Sequence, residues 1–241
     1  MQNFGIVVSA TVALGAILGI GPASSADLPV RAYTKAPAMT ADPAYDWSGF
    51  YVGGHIGYLW GKTRVIDDGV LTEPGAPTNG VVGGVLAGYN WQRGPLVLGV
   101  EGDFGWTDAH GTGVVALPPP PALPRTPNLY NMRWDSHVVG KVGFASGQWM
   151  IFGTGGLAIA DLNFQEGVVP PALPLISVVG GKYTGFSVGG GVEYAFNRNL
   201  LGRLQYIYDD FGSKNYLAAD GGIYRVSLTG QTLRGALSWK F

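Results

Sequence analysis

The chain has 241 residues, enough for one domain, with 15 basic and 16 acidic side chains and no cysteine. That balance leaves no cationic excess for nucleic acid, and the missing cysteines rule out disulfides and thiolate metal centres. Forty glycines weigh against a helical protein, sixteen prolines lack the Gly-X-Y period of collagen, and 13% charged residues is sparse for a soluble surface.

The first element is an address. Ile6–Ile20 (IVVSATVALGAILGI) is an apolar run too short and too glycine-rich for a membrane helix. Pro22 and a small-x-Ala pattern, Ser24-Ser25-Ala26, follow it, so residues 1–26 read as a signal peptide cleaved after Ala26, although Met1–Gly5 holds no Lys or Arg. Residues 27–46, with Pro29, Pro37 and Pro43 among small and polar side chains, read as a flexible periplasmic lead-in. Residues 47–241 are then one folded domain.

Eight segments of that domain alternate as strands do, with successive side chains on opposite faces. The first, Phe50–Trp60, directs Phe50, Val52, Ile56, Tyr58 and Trp60 to one face and Tyr51, His55 and Leu59 to the other. The second, Val81–Trp91, separates Val81, Val85, Ala87, Tyr89 and Trp91 from Asn90. In the third, Leu96–Trp106, the apolar face ends in Phe104 and Trp106, and the other holds glycine with Glu101 and Asp103. The fourth, Met132–Phe144, sets Trp134, Val138, Val142 and Phe144 against Arg133, Asp135, His137 and Lys141. The fifth, Trp149–Ala160, is apolar on both faces and its facing stays open. The sixth, Thr184–Phe196, has Phe186, Val188, Val192, Tyr194 and Phe196 opposite Glu193. The seventh, Leu200–Tyr208, has Leu204, Tyr206 and Tyr208 opposite Arg203 and Gln205. The eighth, Leu228–Phe241, has Leu233, Leu237, Trp239 and Phe241 opposite Arg234, Ser238 and Lys240.

An outward apolar band around a polar interior is the pattern of a transmembrane β-barrel. Three further features agree with it. All sixteen prolines lie outside the eight segments, as paired strands require. Long connections (Gly61–Gly80, Thr107–Asn131, Asp161–Tyr183, Asp209–Ser227) alternate with tight turns (Gln92–Pro95, Ala145–Gln148, Asn197–Asn199), as external loops alternate with periplasmic turns. The tryptophans sort into two aromatic girdles: Trp60, Trp106 and Trp134 externally, and Trp47, Trp91, Trp149 and Trp239 on the periplasmic side. The fold expected is all-β, an eight-stranded antiparallel up-and-down barrel, integral to the outer membrane of a Gram-negative bacterium and in contact with its lipid. A lipocalin-like soluble barrel also alternates, but these strands carry too few charges to coat it.

Arg234, Trp239 and Phe241 resemble the C-terminal signal read by the outer-membrane assembly machinery, with Ala236 where glycine is usual. The stretches DWSGFYVGGHIGYLWG (Asp46–Gly61), GVLAGYNWQRGPLVLGVEGDFGW (Gly84–Trp106) and GGGVEYAFNRNLLGRLQYIYDDFGS (Gly189–Ser213) resemble the outer-membrane immunogenic, porin-family barrels of α-proteobacteria. That resemblance implies an OmpA-like barrel from Asp46 to Phe241 and allows a haem or other ligand, with His110 the first residue to mutate.

The interior set is Glu101, Asp103, Arg133, Asp135, His137, Lys141, Glu193, Arg203, Gln205, Arg234 and Lys240. Eight strands leave a lumen that side chains can fill, and ionised groups there must pair. A tight turn centred on Arg198 sets Glu193 opposite Arg203; Asp103 is expected near Arg133 or Asp135. Such a network plugs the barrel; a narrow path for small solutes is the alternative. Two external stretches, Val114–Pro124 and Val168–Leu175, are proline-rich and apolar, suited to a hydrophobic cap or to an external ligand or host surface. Enzyme chemistry is not expected. Ser136 and His137 are neighbours in a strand and face opposite sides, His55 and His110 stand alone, and no cofactor or metal motif occurs.

Overall fold

The computed structural model describes residues 45–67, 70–113, 128–165, 178–217 and 223–241. The signal peptide, residues 27–44 of the lead-in and both proline-rich stretches lie outside the described residues.

Alternation and β-branched or aromatic content drive nine antiparallel strands among the described residues: β1 (Gly49–Asp67), β2 (Val70–Arg93), β3 (Leu96–Thr107), β4 (His110–Gly113), β5 (Asn128–Ser146), β6 (Trp149–Gln165), β7 (Val178–Ala195), β8 (Leu200–Leu217) and β9 (Ile223–Lys240). They close into a ring, β9 pairing with β1 from Tyr51↔Lys240 to Asp67↔Tyr224. A closed ring leaves no sheet edge unpaired, which is what permits strands to sit in hydrocarbon.

The nine strands fill eight places, because β3 and β4 both lie between β2 and β5. Asp108 and Ala109 interrupt them, and side chains replace the missing ladder bonds. The Val81 amide donates to Asp108 Oδ1 at 2.7 Å, and the Ala109 amide donates to Thr107 Oγ1 at 3.0 Å.

Facing follows the sequence pattern. Phe50, Ile56, Val100, Val138, Leu157, Phe186, Leu204 and Leu237 are exposed, while Tyr51, Glu101, Lys141, Glu193 and Arg203 are buried inside. The open facing of β6 resolves with Trp149, Ile151 and Leu157 outward and Met150, Phe152, Thr154 and Ala158 inward.

The strands run well beyond the expected segments. Two of the four long connections are mostly strand: β1 and β2 stay paired up to Asp67↔Val70, and β8 and β9 up to Leu217↔Ile223. Above the outer aromatics the polarity inverts. Leu59, Val65, Phe211, Val226 and Leu228 pack inside, whereas Lys62, Arg64 and Arg225 stand exposed. A search for outward apolar residues stops where that inversion begins. Pro74 and Pro77 consequently fall within β2, against the expectation that no strand holds proline. Beyond Asn79, the last β2 residue paired with β4, Pro77 has a ladder partner only in β1, Lys62, and an edge position tolerates the missing N–H.

Candidate functional site: a filled lumen

The lumen is packed in three tiers. At the turn end, Trp47, Val97, Ala145, Met150, Phe152, Ala195 and Leu201 form an apolar floor, with Tyr45 against it. The chain before β1 supplies part of this floor. Gly49, at φ 129°, lets the backbone turn from the barrel mouth into the strand.

The inserted segment is held by polar contacts. Tyr45 Oη donates to the Arg198 carbonyl at 3.0 Å, and the Trp47 amide donates to Gln92 Oε1 at 2.7 Å. Lys240 Nζ donates to the carbonyls of Asp46 and Ser48 and lies 4.7 Å from the Tyr45 ring. Burial pushes the Tyr45 hydroxyl up to about 12, with the charges of Glu193 and Asp46 adding to the effect. The Ser48 amide, 2.9 Å from Asp46 Oδ1, holds that carboxyl below its usual range.

Two corrections follow at this end. Trp47 is not a girdle residue: it precedes the first strand, so it is free to turn inward, and it is fully buried. Tyr45 and Asp46 are anchored residues of the barrel mouth rather than the tail of a flexible lead-in. Trp91, Trp149 and Trp239 remain outward and exposed, as do Trp60 and Trp106 at the other end, where Trp134 is half-buried against Phe104 at 5.5 Å.

The middle tier carries the charge. Arg203 is its hub, donating from Nε to Glu193 Oε1 at 2.6 Å and from its two terminal nitrogens to Glu101 Oε1 and Oε2 at 2.6 and 2.7 Å. Such bidentate pairing suits a planar guanidinium. Tyr51 donates to Glu101 at 2.6 Å, and Lys141 Nζ lies 3.5 Å from Glu193 and 4.6 Å from the Tyr51 ring centre. A second group is built around Asp103. Arg234 reaches its Oδ2 at 2.9 Å and Gln205 Oε1 at 3.1 Å, while His137 Nδ1 lies 2.8 Å from Asp103 Oδ1. His137 Nε2 faces Asp209 at 3.2 Å. Asp135 is buried in the same region.

The Glu193↔Arg203 register is the one expected from the hairpin. Other placements differ. Arg133 is not in the lumen: a bulge between Met132 and Trp134 turns it to the outer face, where it meets Asp161 at 2.6 Å. Of the two neighbours expected for Asp103, Asp135 is the one beside it, diagonal across the β3–β5 ladder, and Asp103 pairs with His137 and, across the barrel, Arg234. Lys240 holds the mouth segment instead of joining the ion network. Tyr51, outside the expected interior set, and Asp209, expected in a long connection, complete the tier. Arg234 points inward, while Trp239 and Phe241 face out. His110 lies exposed in β4, its Nδ1 2.7 Å from the Asp108 carbonyl oxygen.

The third tier, toward the loop end, is apolar again: Leu59, Tyr130, Met132, Leu162, Tyr183, Phe211, Val226 and Leu228. With hydrocarbon-facing walls, aromatic ends and a packed interior, the molecule is of the class of closed transmembrane β-barrels.

Comparison with known proteins agrees. The outer-membrane protein beta-barrel domain model matches residues 30–241, and the chain belongs to that family. It is an integral outer-membrane protein. It is 34% identical over 185 residues to the 22 kDa outer membrane protein of Rhizobium leguminosarum, covering 76% of this chain and 73% of that one. It is 29% identical over 217 residues to the 31 kDa outer-membrane immunogenic protein of Brucella melitensis, covering 86% and 89%. Among solved structures, the outer membrane protease OmpT of Escherichia coli matches at TM-score 0.54 and 9% identity, over 82% of this chain and 98% of that one. The outer membrane protein OprG of Pseudomonas aeruginosa matches at TM-score 0.50 and 14% identity over the same shares. Both likenesses concern the fold alone.

Proposed function

We propose that the protein is a structural, envelope-stabilising and surface-presenting barrel with a closed lumen and no enzymatic step of its own. Its tight turns face the periplasm and its longer connections face the outside, the arrangement usual for such barrels. The filled lumen carries this reading. Two apolar tiers bracket a paired ionic one, so a solute would have to displace Trp47 at one end and the Tyr130–Tyr183–Phe211 cluster at the other. The relatives named as immunogenic are consistent with a barrel that displays its outer connections.

The test is a strain lacking the protein. Greater sensitivity to detergent with unchanged uptake of small solutes is expected. Reduced uptake with normal detergent resistance would overturn the proposal in favour of a porin.

A further inference from the structure

We propose that the outer face of β4, β5 and β6 binds one uncharged sugar ring, held by His110, Asn131 and Asn163. Its presentation outside the cell rests on the orientation proposed above.

The site is built by register. His110 pairs with Asn131, and Asn131 with Asn163, so the three side chains form one row across three strands. At the usual interstrand spacing that row is about 10 Å long. His110 follows the girdle residue Trp106 by four positions and Asn131 precedes Trp134 by three. The row therefore stands roughly 10 Å beyond the aromatic boundary, in water rather than in hydrocarbon. Thr112 and Leu129, a ladder pair two residues further out, are exposed beside it. Together these side chains line a hollow of about 260 Å³. Drug-sized ligands occupy about 300–1,000 Å³, so the hollow suits a single ring.

The chemistry of the lining selects the ring. His110 Nδ1 lies 2.7 Å from the Asp108 carbonyl oxygen. A carbonyl only accepts, so Nδ1 carries the proton and the neutral imidazole presents Nε2 as an acceptor. The Asn163 carboxamide lies over Gly180, where an added methyl would overlap its Oδ1. Neither Asn131 nor Asn163 hydrogen-bonds through its side chain to another described group, so each amide offers a donor and an acceptor. Neighbouring sugar hydroxyls, which both donate and accept, match that set, and Leu129 offers carbon to the C–H face of the ring.

Among the described residues no charged side chain lines the hollow. The charged groups around it are engaged elsewhere: Asp108 Oδ1 accepts from the Val81 amide, Arg133 pairs with Asp161 at 2.6 Å, and Lys182 Nζ lies 5.8 Å from the Trp134 ring centre. An ionic ligand finds no counter-charge here, whereas an uncharged polyol satisfies the free amides without adding an unpaired charge.

The test uses the refolded full barrel in a zwitterionic detergent without a sugar headgroup. Neutral methyl hexopyranosides are titrated and binding is read by saturation-transfer NMR. At least one of them should bind. A neutral polysaccharide that competes with it would place the ring at the end of a glycan chain, and one that does not compete would make the ligand a free sugar; both support the site. H110A should weaken binding about fivefold, as the loss of one hydrogen bond does, and H110A/N131A/N163A on the order of 100-fold. R93Q/R198Q, at the turn end, should leave it unchanged. Equal binding by wild type and the triple variant would overturn the proposal. Tighter binding of a methyl glucuronide than of the methyl glucoside would do the same, since the site would then be anionic in preference. A barrel that is folded by its heat-dependent gel shift but binds no neutral hexoside would remove this site and leave the closed-barrel reading intact.

Discussion

Arg203 holds Glu193 through its neighbouring strand and Glu101 from across the lumen. Its loss therefore strands two buried carboxylates at once. R203Q should cost about 3–5 kcal/mol, the range for removing one partner of a buried ion pair, read as a fall in the urea midpoint of unfolding from vesicles. E193Q/R203Q should recover part of that loss by removing one of the stranded charges. Half of this arrangement was legible in sequence. The Glu193–Arg203 register follows from a tight turn, whereas the Glu101–Arg203 contact joins β3 to β8, which share no ladder and meet only because the sheet closes. Tyr45 gives a pH-dependent counterpart at the mouth. Its hydroxyl is raised by burial, so the folded form keeps the proton longer than the unfolded chain does. The contribution is complete below pH 10 and is lost as pH rises toward 12. Acrylamide quenching of Trp47, taken as the difference between wild type and W47F, should rise across that window in wild type and stay flat in Y45F.

At the scale of the element, glycines decide how closely the strands coil. Gly84 faces inward on β2, and a methyl group there would overlap the Phe104 carbonyl oxygen, a backbone atom that cannot swing away. Gly140 faces out, with no atom nearer than the Gly155 carbonyl oxygen at 3.8 Å from an added Cβ. G84A should therefore destabilise by about 1–3 kcal/mol, as overpacking does. G140A should be neutral within about 0.5 kcal/mol. Thermal loss of the compact gel form would compare the two.

The membrane-spanning part of each strand was legible because alternation there has a hydrocarbon-facing side. The extensions were not, since β1 beyond Trp60 buries Thr63 and Val65 and exposes Lys62 and Arg64, the reverse polarity. Arg133 departs from the alternation for a local reason. One bulge shifts the facing of every residue beyond it, and alternation alone carries no sign of a bulge.

The whole molecule combines two solvents along one sheet. Its lower band meets lipid with apolar side chains and keeps charge inside; its upper extension meets water with charge and keeps apolar side chains inside. The proposed closure rests on this inversion, because the ionic tier lies between two hydrophobic ones. Closure is the central claim, and single-channel recording in planar bilayers tests it most directly. Refolded protein shown to be folded by its heat-dependent gel shift should give no reproducible conductance steps. Regular steps from the same protein, changed in ion selectivity by E193Q/R203Q, would contradict a sealed lumen and make the ionic tier the lining of a pore.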